Sequence, residues 1–386
     1  MTIQAHLQQL LQGRTSHTEQ RQILELLRSA TADDLNSILS QTDSAALLGQ
    51  LTNHWWGPAN RTAARHLLTE RLPEVGLEAR ANLAYGLQAG YTSAADAQAI
   101  LAIFHSALGE DLTHLKNAMN MRTDSHDLEG LVFGDIRGRR LRASILEHIA
   151  TQAVGIHPGE AKILCDIDDT VVASLHEHRF PRGSIYPGVL AFLDALDHGP
   201  GAQPFSLGDL TFVTARPSDA FGIIENHTRA SLRRAGVADH SVLTGSVLNL
   251  LTHDLMAGRK LRNIEHYHAL FPEYPLVFIG DSGQGDIQVG ELMWERFPGA
   301  ISLIVIHDVV GLPRAERERL GRRGIQVVDT YIGAAGVARD RGLLTGAQHQ
   351  HVVEESCAHL DTIRWETQPQ ETDARALIAR DADGNP

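Results

Sequence analysis

Residues 1–155 carry apolar side chains at helical spacing. Across residues 23–39, for example, apolar positions recur every three or four residues. Clusters of Thr, Ser and Asp separate such runs, and these residue types are favoured at helix N-caps. The pattern predicts an all-α domain over residues 1–155.

The helical region is similar to itself at a spacing of 77 residues. Thr15-Ser16 aligns with Thr92-Ser93, and Asp34-Leu35 aligns with Asp111-Leu112. Helical units that stack on each other and share a core are typical of helical repeat proteins. We therefore predict two degenerate repeats, each with three or four helices.

From residue 156 onward, short β-rich runs alternate with longer helical stretches. The runs are KILCDI, DLTFVTA, HSVLTGS, PLVFIGD, ISLIVIHD and GIQVVDT. This alternation is typical of a parallel sheet with helices on both faces, in which ligands bind at the carboxyl ends of the strands. We predict an α/β domain with a central parallel sheet and Rossmann-like topology over residues 156–335. Residues 336–386 are predicted to form a helical extension and a partly disordered tail.

Composition and net charge argue against some classes of function. A net charge of −13 argues against general nucleic-acid binding. No apolar run approaches the roughly 18 residues of a membrane span, and the N-terminal sequence lacks the features of a signal peptide. Cys165 and Cys357 are the only cysteines, so we expect no disulfide framework and a cytoplasmic location. Cys165, within a strand, is expected to be a buried, unreactive thiol.

Two aspartates, Asp166 and Asp168, follow the first β-rich run. A carboxylate at the end of a buried strand is fixed and partly desolvated, which suits a nucleophile. The residue two positions later points the same way and can donate a proton. Such close carboxylates repel each other and need a cation. Asp281 and Asp286, in the turn GDSGQGD, supply further oxygen ligands of the kind that select Mg²⁺.

Phosphoryl transfer also requires donors and positive charge near the phosphoryl oxygens. Thr214 ends another β-rich run, and its hydroxyl and the following backbone N–H groups are suitable donors. Lys260 is one of only three lysines among 34 basic residues, and it lies about 20 residues before the GDSGQGD turn. We predict that Thr214 and Lys260 hold the phosphoryl group.

These motifs occur in a fixed order that resembles the haloacid dehalogenase (HAD) superfamily of phosphatases. The matching positions are Asp166-x-Asp168-x-Thr170, Thr214, Lys260 and Gly280-Asp281-x-x-x-x-Asp286. Over residues 160–310, the combination of DIDDT, YPG, TARP and GDSGQGD is similar to the catalytic domain of the actin-patch-associated phosphatidate phosphatases.

The resemblance implies a mechanism for this sequence. Asp166 would attack phosphorus to give an aspartyl-phosphate, while Asp168 would protonate the leaving oxygen and then activate water. Mg²⁺ would be held by the Asp166 carboxylate, the Asp168 carbonyl, Asp281 and Asp286. The presence of Asp168 favours phosphatase over dehalogenase chemistry, because a halide leaving group needs no proton.

The intervals between the motifs bear on substrate size. About 40 residues separate Thr170 from Asp209, and about 45 separate Thr214 from Lys260, which leaves no room for a large cap domain. An uncapped site admits bulky phosphomonoesters, such as a lipid head group. We therefore predict a capless phosphomonoester hydrolase, with phosphatidate implied by the resemblance alone. A lipid substrate would place the protein at the periphery of a membrane.

Alternative functions stay open at this stage. The substrate could instead be a phosphoprotein, a nucleotide or a nucleic-acid end. Alternatively, the helical repeats could bind a protein partner and the HAD-like domain could serve as a sensor.

One segment near the motifs, HEHRFPRGS, invites a further interpretation. Arg179 and Arg182 flank Phe180 there, and we expect this segment to form a flap at the mouth of the site. His176 and His178 are expected to be solvated or internally paired rather than metal ligands, because the chain contains 21 histidines.

Overall fold

The computed structural model describes residues 3–52, 60–121, 127–207, 209–217, 241–245, 253–283 and 285–384. Within these ranges, the side chains of residues 214–217, 241–245, 253–257 and 259 lie outside the description. The chain divides into two compact units. The first comprises residues up to Ile156 together with Ala269–Phe271, and the second comprises the remainder.

The first unit is helical in its described part. Its α-helices are α1 (Ile3–Leu10), α2 (His17–Ser29), α3 (Ala32–Gln41), α4 (Ser44–Gln50), α5 (Asn60–Glu70), α6 (Leu77–Gln88), α7 (Ala94–His105), α8 (Glu110–Asn120) and α9 (Arg139–Gln152). A short 3₁₀ turn covers Leu72–Glu74, and a π-helical turn covers Gly130–Asp135. Apolar faces of these helices are buried in the core, as at Ile38, Leu68 and Phe104.

Helices α2 and α7 of this unit begin with the same capping arrangement, which α3 also has. The Ser16 side chain accepts the N–H of Glu19, and the Glu19 carboxylate accepts the N–H of Ser16, at the start of α2. Ser93 and Asp96 form the same reciprocal pair at the start of α7. The two caps are 77 positions apart, which is the spacing of the predicted repeat. The repeat itself stays a prediction.

The second unit is built on a six-stranded parallel sheet. Its strands are β1 (Lys162–Cys165), β2 (Leu210–Pro217), β3 (Ser241–Gly245), β4 (Leu276–Asp281), β5 (Ile301–His307) and β6 (Ile325–Val328), in the order β3-β2-β1-β4-β5-β6. Each strand falls within one of the β-rich runs, except that β2 extends two residues beyond its run, to Pro217. β1 and β4 are buried along their whole length, because they lie at the centre of the sheet.

Helices of the second unit separate most of these strands, and three described helices follow β6. They are α10 (Val189–His198), α11 (His253–Leu270), α12 (Asp286–Arg296), α13 (Arg314–Arg322), α14 (Tyr331–Asp340), α15 (Gly346–Leu360) and α16 (Gln368–Ala382). The predicted fold class, an α/β domain with a parallel sheet preceded by an all-α region, is confirmed. None of the helices in the described ranges combines the length and apolar character that a membrane crossing requires.

The segment between β1 and α10 is a loop, held by isolated bridges at Asp168–Val172 and Val172–Ile185. Its HEHRFPRGS portion, which was expected to form a flap at the mouth of the site, is anchored to the core. Phe180 is buried and packs edge-on against Tyr186, and the Arg179 guanidinium pairs with the buried Glu177 carboxylate at 2.8 Å. Phe180 therefore anchors the segment to the core, while His176 of the same segment lies against the GDSGQGD turn, and the flap stays a prediction.

The C-terminal region contains more helix than the sequence predicted. The predicted boundary at residue 335 falls inside α14, whose buried residues belong to the same core as β1. Residues 368–382, expected to be partly disordered, form α16. Thr367 caps this helix, and Ala374 and Ile378, one turn apart, are buried on one face. One small apolar face therefore orders a segment whose overall composition is polar.

Removing apolar volume from α16 should destabilise the second unit. We expect Ile378→Ala to lower the free energy of unfolding by roughly 2–4 kcal/mol, because it leaves a cavity in a packed core. Urea denaturation of the full chain measures the effect, with the exposed Asp373→Ala on the same helix as control. Equal midpoints for both variants would contradict the packing of α16.

Candidate active site

The candidate site lies where the strand order of the sheet reverses. The chain passes from β1 to β2 and β3 on one side and then returns to β4 on the other side of β1. A crevice forms at such a switch point, at the carboxyl ends of the strands. Asp166 directly follows β1, and Asp281 ends β4. The N–H of Asp166 donates to the carbonyl of Ile279 at 2.9 Å, which holds the two strand ends together.

Three carboxylates converge at this crevice. Oxygens of Asp166, Asp281 and Asp286 all lie within 4.8 Å of one another, and all three residues are buried. Lys260, on α11, is also buried. Its Nζ lies 2.7 Å from Oδ1 of Asp166 and 2.5 Å from Oδ1 of Asp286. The structure thus places a single ammonium group between two members of the carboxylate cluster.

Glycines in the GDSGQGD turn allow this approach. A Cβ on Gly280 would lie 2.6 Å from Oδ2 of Asp286, so a side chain there would displace that carboxylate. Gly285 adopts φ 90°, a left-handed conformation that glycine accepts readily, and α12 starts at the next residue. Oδ2 of Asp286 then accepts the N–H of Asp281 at 3.3 Å. The turn therefore brings Asp281 and Asp286 together.

The hydrogen bonds distinguish the two carboxylates of the turn. Asp286 is engaged at both oxygens, by Lys260 and by the N–H of Asp281. Asp281 accepts the N–H of Gly283 at Oδ1, at 2.6 Å, whereas its buried Oδ2 has no hydrogen-bond partner among the described residues. A buried carboxylate oxygen without a donor is unfavourable unless it binds a cation or a proton. This all-oxygen donor set fits a hard divalent cation, with Asp286 also anchoring Lys260.

Burial and excess negative charge together set the pKa values of the groups in the cluster. Burial, reinforced by the nearby Asp286 and Asp168 carboxylates and opposed by Lys260, raises the pKa of Asp166 to about 7. Burial, together with Asp286 and Asp166, raises the pKa of Asp281 to about 9. Burial alone would lower the pKa of Lys260, but the Asp166 and Asp286 carboxylates outweigh it and raise that pKa. One lysine does not neutralise the cluster.

The structure describes fewer contacts for the remaining predicted site residues, Asp168 and Thr214. Asp168 is half-buried, and its charge lies close enough to Asp166 to raise the pKa of that carboxyl group. Thr214 lies within β2, but its side chain is outside the described residues. The structure therefore brings together Asp166, Asp168, Lys260, Asp281 and Asp286, while the hydroxyl of Thr214 stays a prediction.

Two neighbours of the site were not assigned to it from the sequence. The buried Asp169 carboxylate accepts the backbone N–H of His176 at 2.9 Å and lies 3.1 Å from its Nδ1. His176 is thus paired within the protein. It also lies beside the GDSGQGD turn, and therefore close to the site. A spacing of seven residues along a loop carries no signal for such a contact. Cys165 is fully buried as expected, and burial raises the pKa of its thiol.

The site falls within a region of recognisable similarity. Residues 161–308 match the family model of the catalytic domain of phosphatidate phosphatase APP1. The match covers less than half of the chain and includes every candidate site residue named above. It supports the resemblance noted from the motifs and points to a phosphatase, which is a hydrolase. Comparisons with curated proteins and with solved structures gave no match.

The raised pKa values predict how pH affects the metal-free protein. The carboxyl groups of Asp166 and Asp281 hold protons more tightly in the folded state than at their ordinary pKa of 3.8. The stability that these protons confer is complete below that value and is lost as pH rises through about 7 and about 9.

Asp281→Asn removes one of these titrations and should flatten the loss of stability toward pH 9. Urea unfolding in the presence of EDTA at several pH values measures the slope, and the exposed Asp373→Asn should keep the wild-type slope. Parallel pH profiles for wild type and Asp281→Asn would contradict the burial of an uncompensated carboxyl group.

Proposed function

We propose that the protein is a Mg²⁺-dependent phosphomonoester hydrolase of the HAD type that acts on phosphatidate or a similar lipid phosphate through an aspartyl-phosphate. One observation carries the proposal. Asp166, Asp281, Asp286 and Lys260 converge at the switch point of a parallel sheet, within the region that matches the APP1 catalytic domain.

In the proposed first step, an oxygen of the Asp166 carboxylate attacks phosphorus. The bond from phosphorus to the substrate oxygen breaks, and Asp168 gives its proton to that leaving oxygen. The position of Asp166 directly after a buried strand supports its role as nucleophile. Asp168 is only half-buried and lies two residues further along the loop, where it can reach the leaving group.

In the second step, the Asp168 carboxylate takes a proton from water, and the water oxygen attacks phosphorus. The bond between phosphorus and Asp166 breaks, which restores Asp166 and releases inorganic phosphate. Lys260 contacts the nucleophile's carboxylate and supplies positive charge beside the developing negative charge on the phosphoryl oxygens.

Mg²⁺ would be held by Asp166 and Asp281, with Asp286 nearby and the Asp168 carbonyl as a further ligand. When bound, it supplies the positive charge that keeps these buried carboxylates ionised and stabilises the phosphoryl transfer. Without that charge, Asp166 has a pKa of about 7 and would be partly protonated at neutral pH. A protonated carboxyl group is a poor nucleophile.

Support for a lipid substrate comes from the matched family and from the rim of the site. Leu175 is 57% exposed and precedes His176, which lies over the GDSGQGD turn. Val310 is 48% exposed, and its N–H donates to the hydroxyl of Ser282 in the same turn. Two large apolar side chains thus project to solvent beside the site, as suits an enzyme that reaches a phosphate at an acyl-chain surface.

Replacing the nucleophile should abolish turnover. We expect Asp166→Asn to lower phosphate release by at least about a thousandfold, because no aspartyl-phosphate can form. Phosphate release is measured with Mg²⁺ on phosphatidate in mixed micelles and on the soluble substrate p-nitrophenyl phosphate, with Asp373→Asn as control. Retention of wild-type rates by Asp166→Asn would exclude the proposed mechanism.

Faster release from phosphopeptides, nucleotides or oligonucleotide ends than from phosphatidate would contradict the lipid assignment.

The apolar rim should matter only for substrate in a bilayer. We expect the double variant Leu175→Ser/Val310→Ser to lose roughly tenfold or more in activity on phosphatidate vesicles, because each apolar side chain contributes about 1.5–3 kcal/mol when it leaves water. Activity on p-nitrophenyl phosphate should be unchanged.

Leu207→Ser offers a matched control, because Leu207 is 40% exposed. It lies just before β2, at the amino ends of the strands, whereas the site lies at their carboxyl ends. Equal losses on the soluble and vesicular substrates would show that the rim residues support folding rather than lipid contact.

A further inference from the structure

One buried carboxylate fastens the loop that follows the proposed catalytic aspartates. Oδ1 of Asp169 accepts the N–H groups of Ser174 and Leu175 at 2.7 and 3.0 Å, and Oδ2 accepts the N–H of His176. Asp169 has φ 57° and is the one non-glycine residue with positive φ in the described part of the chain. Such a conformation persists in a non-glycine residue when surrounding contacts hold it. The loop after β1 is therefore built around this carboxylate.

The same carboxylate orients the His176 ring over the GDSGQGD turn. Nδ1 of His176 lies 3.1 Å from Oδ2 of Asp169. A Cβ on Gly283 would lie 2.7 Å from that Nδ1 and 2.8 Å from Cγ of the ring, so the imidazole packs directly on the glycine backbone. His176 thus connects the loop after β1 to the turn after β4.

Gly283 transmits this contact to the proposed metal ligand. Its N–H donates to Oδ1 of Asp281 at 2.6 Å. The bond fixes the rotation of the Asp281 carboxylate, and the buried Oδ2 is left without a hydrogen-bond partner in the described structure. A continuous series of contacts therefore runs from Asp169 through His176 and Gly283 to Asp281.

Asp169, His176 and Asp281 also have ligand atoms within 4.8 Å of one another, which raises the possibility of a second metal site. Their hydrogen bonds argue against it. Both oxygens of Asp169 already accept N–H donors, and Nδ1 of His176 faces Asp169. A cation at this position would have to displace the bonds that shape the loop.

We propose that His176, oriented by Asp169, is a positioning residue for the metal ligand Asp281. Its ring holds the 281–283 turn so that Oδ2 of Asp281 is presented to the cation. The inference rests on the metal site of the proposed function, but it does not depend on the reaction or the substrate. Residues that orient a metal ligand in this way typically strengthen metal binding by roughly 10- to 100-fold.

The test uses the full chain and three variants. His176→Ala removes the ring, and His176→Asn keeps an amide near the position of Nδ1 that can still donate to Asp169. His178→Ala is the matched control, because His178 is exposed and lies two residues further along the same loop. The side chain of His176 is 37% exposed, so its loss should leave the metal-free fold intact; the metal-free melting temperature of each variant checks this.

Two readouts separate positioning from catalysis. The first is the rise in melting temperature of the metal-free protein on titration with Mg²⁺, which reports metal affinity without turnover. The second is the Mg²⁺ concentration for half-maximal phosphate release, together with kcat at saturating Mg²⁺. We expect His176→Ala to bind Mg²⁺ roughly 10- to 100-fold more weakly while recovering most of its kcat at saturating Mg²⁺. His176→Asn should fall between His176→Ala and wild type, and His178→Ala should match wild type.

Other outcomes overturn the inference. Unchanged Mg²⁺ affinity in His176→Ala would remove the positioning role, and a loss of kcat at unchanged affinity would place His176 on the substrate instead. A second metal ion, such as Zn²⁺, that binds wild type and is lost in His176→Ala would make the cluster a metal site. If Mg²⁺ does not stabilise wild type, this inference and the metal assignment fail together. If Mg²⁺ stabilises wild type but no phosphomonoester is hydrolysed, the proposed function fails, and the Mg²⁺ affinity of His176→Ala alone decides the inference.

Discussion

Among the described residues, three buried carboxylates and one lysine meet at the crevice between β1 and β4, and their charges do not cancel. Burial, reinforced by the neighbouring carboxylates, raises the pKa of Asp166 to about 7 and that of Asp281 to about 9. Such a cluster persists only because surrounding contacts enforce it. The pairing of β1 with β4 fixes the strand ends, and close packing at Gly280 brings Asp286 inward. The geometry fits a site that binds a divalent cation.

The sheet could be predicted from sequence because β-rich runs punctuated by helical stretches leave few alternatives for a chain of this length. α16 could not, because only a narrow face of it, Ala374 and Ile378, is buried, and this helix packs against α14 and α15. The overall composition of this segment is polar and does not reveal such a narrow apolar face. For that reason it indicated disorder. The predicted repeat and a protein partner for the helical unit depend on weaker patterns, and they stay predictions.

Site residues at the ends of strands could be predicted from the sequence. Site contacts that depend on the course of a loop could not. Asp166 and Asp281 end strands, so their proximity follows from topology. The scarcity of lysine drew attention to Lys260, which lies at the carboxylate cluster. Scarcity alone did not distinguish it from the buried Lys162 at the start of β1, which pairs with Asp209. The contact of His176 with Gly283 depends on the course of an irregular loop, which no periodicity encodes. The different engagement of Asp281 and Asp286 likewise appears only in their hydrogen bonds.

A crystal structure of the protein with Mg²⁺ and beryllium fluoride, a mimic of the phosphoryl group on aspartate, tests the central claim most directly. The account predicts one octahedral cation at about 2.0–2.1 Å from carboxylate oxygens of both Asp166 and Asp281, with the fluoride group on Asp166. A cation bound elsewhere, or Asp166 and Asp281 too far apart to share it, would contradict the account.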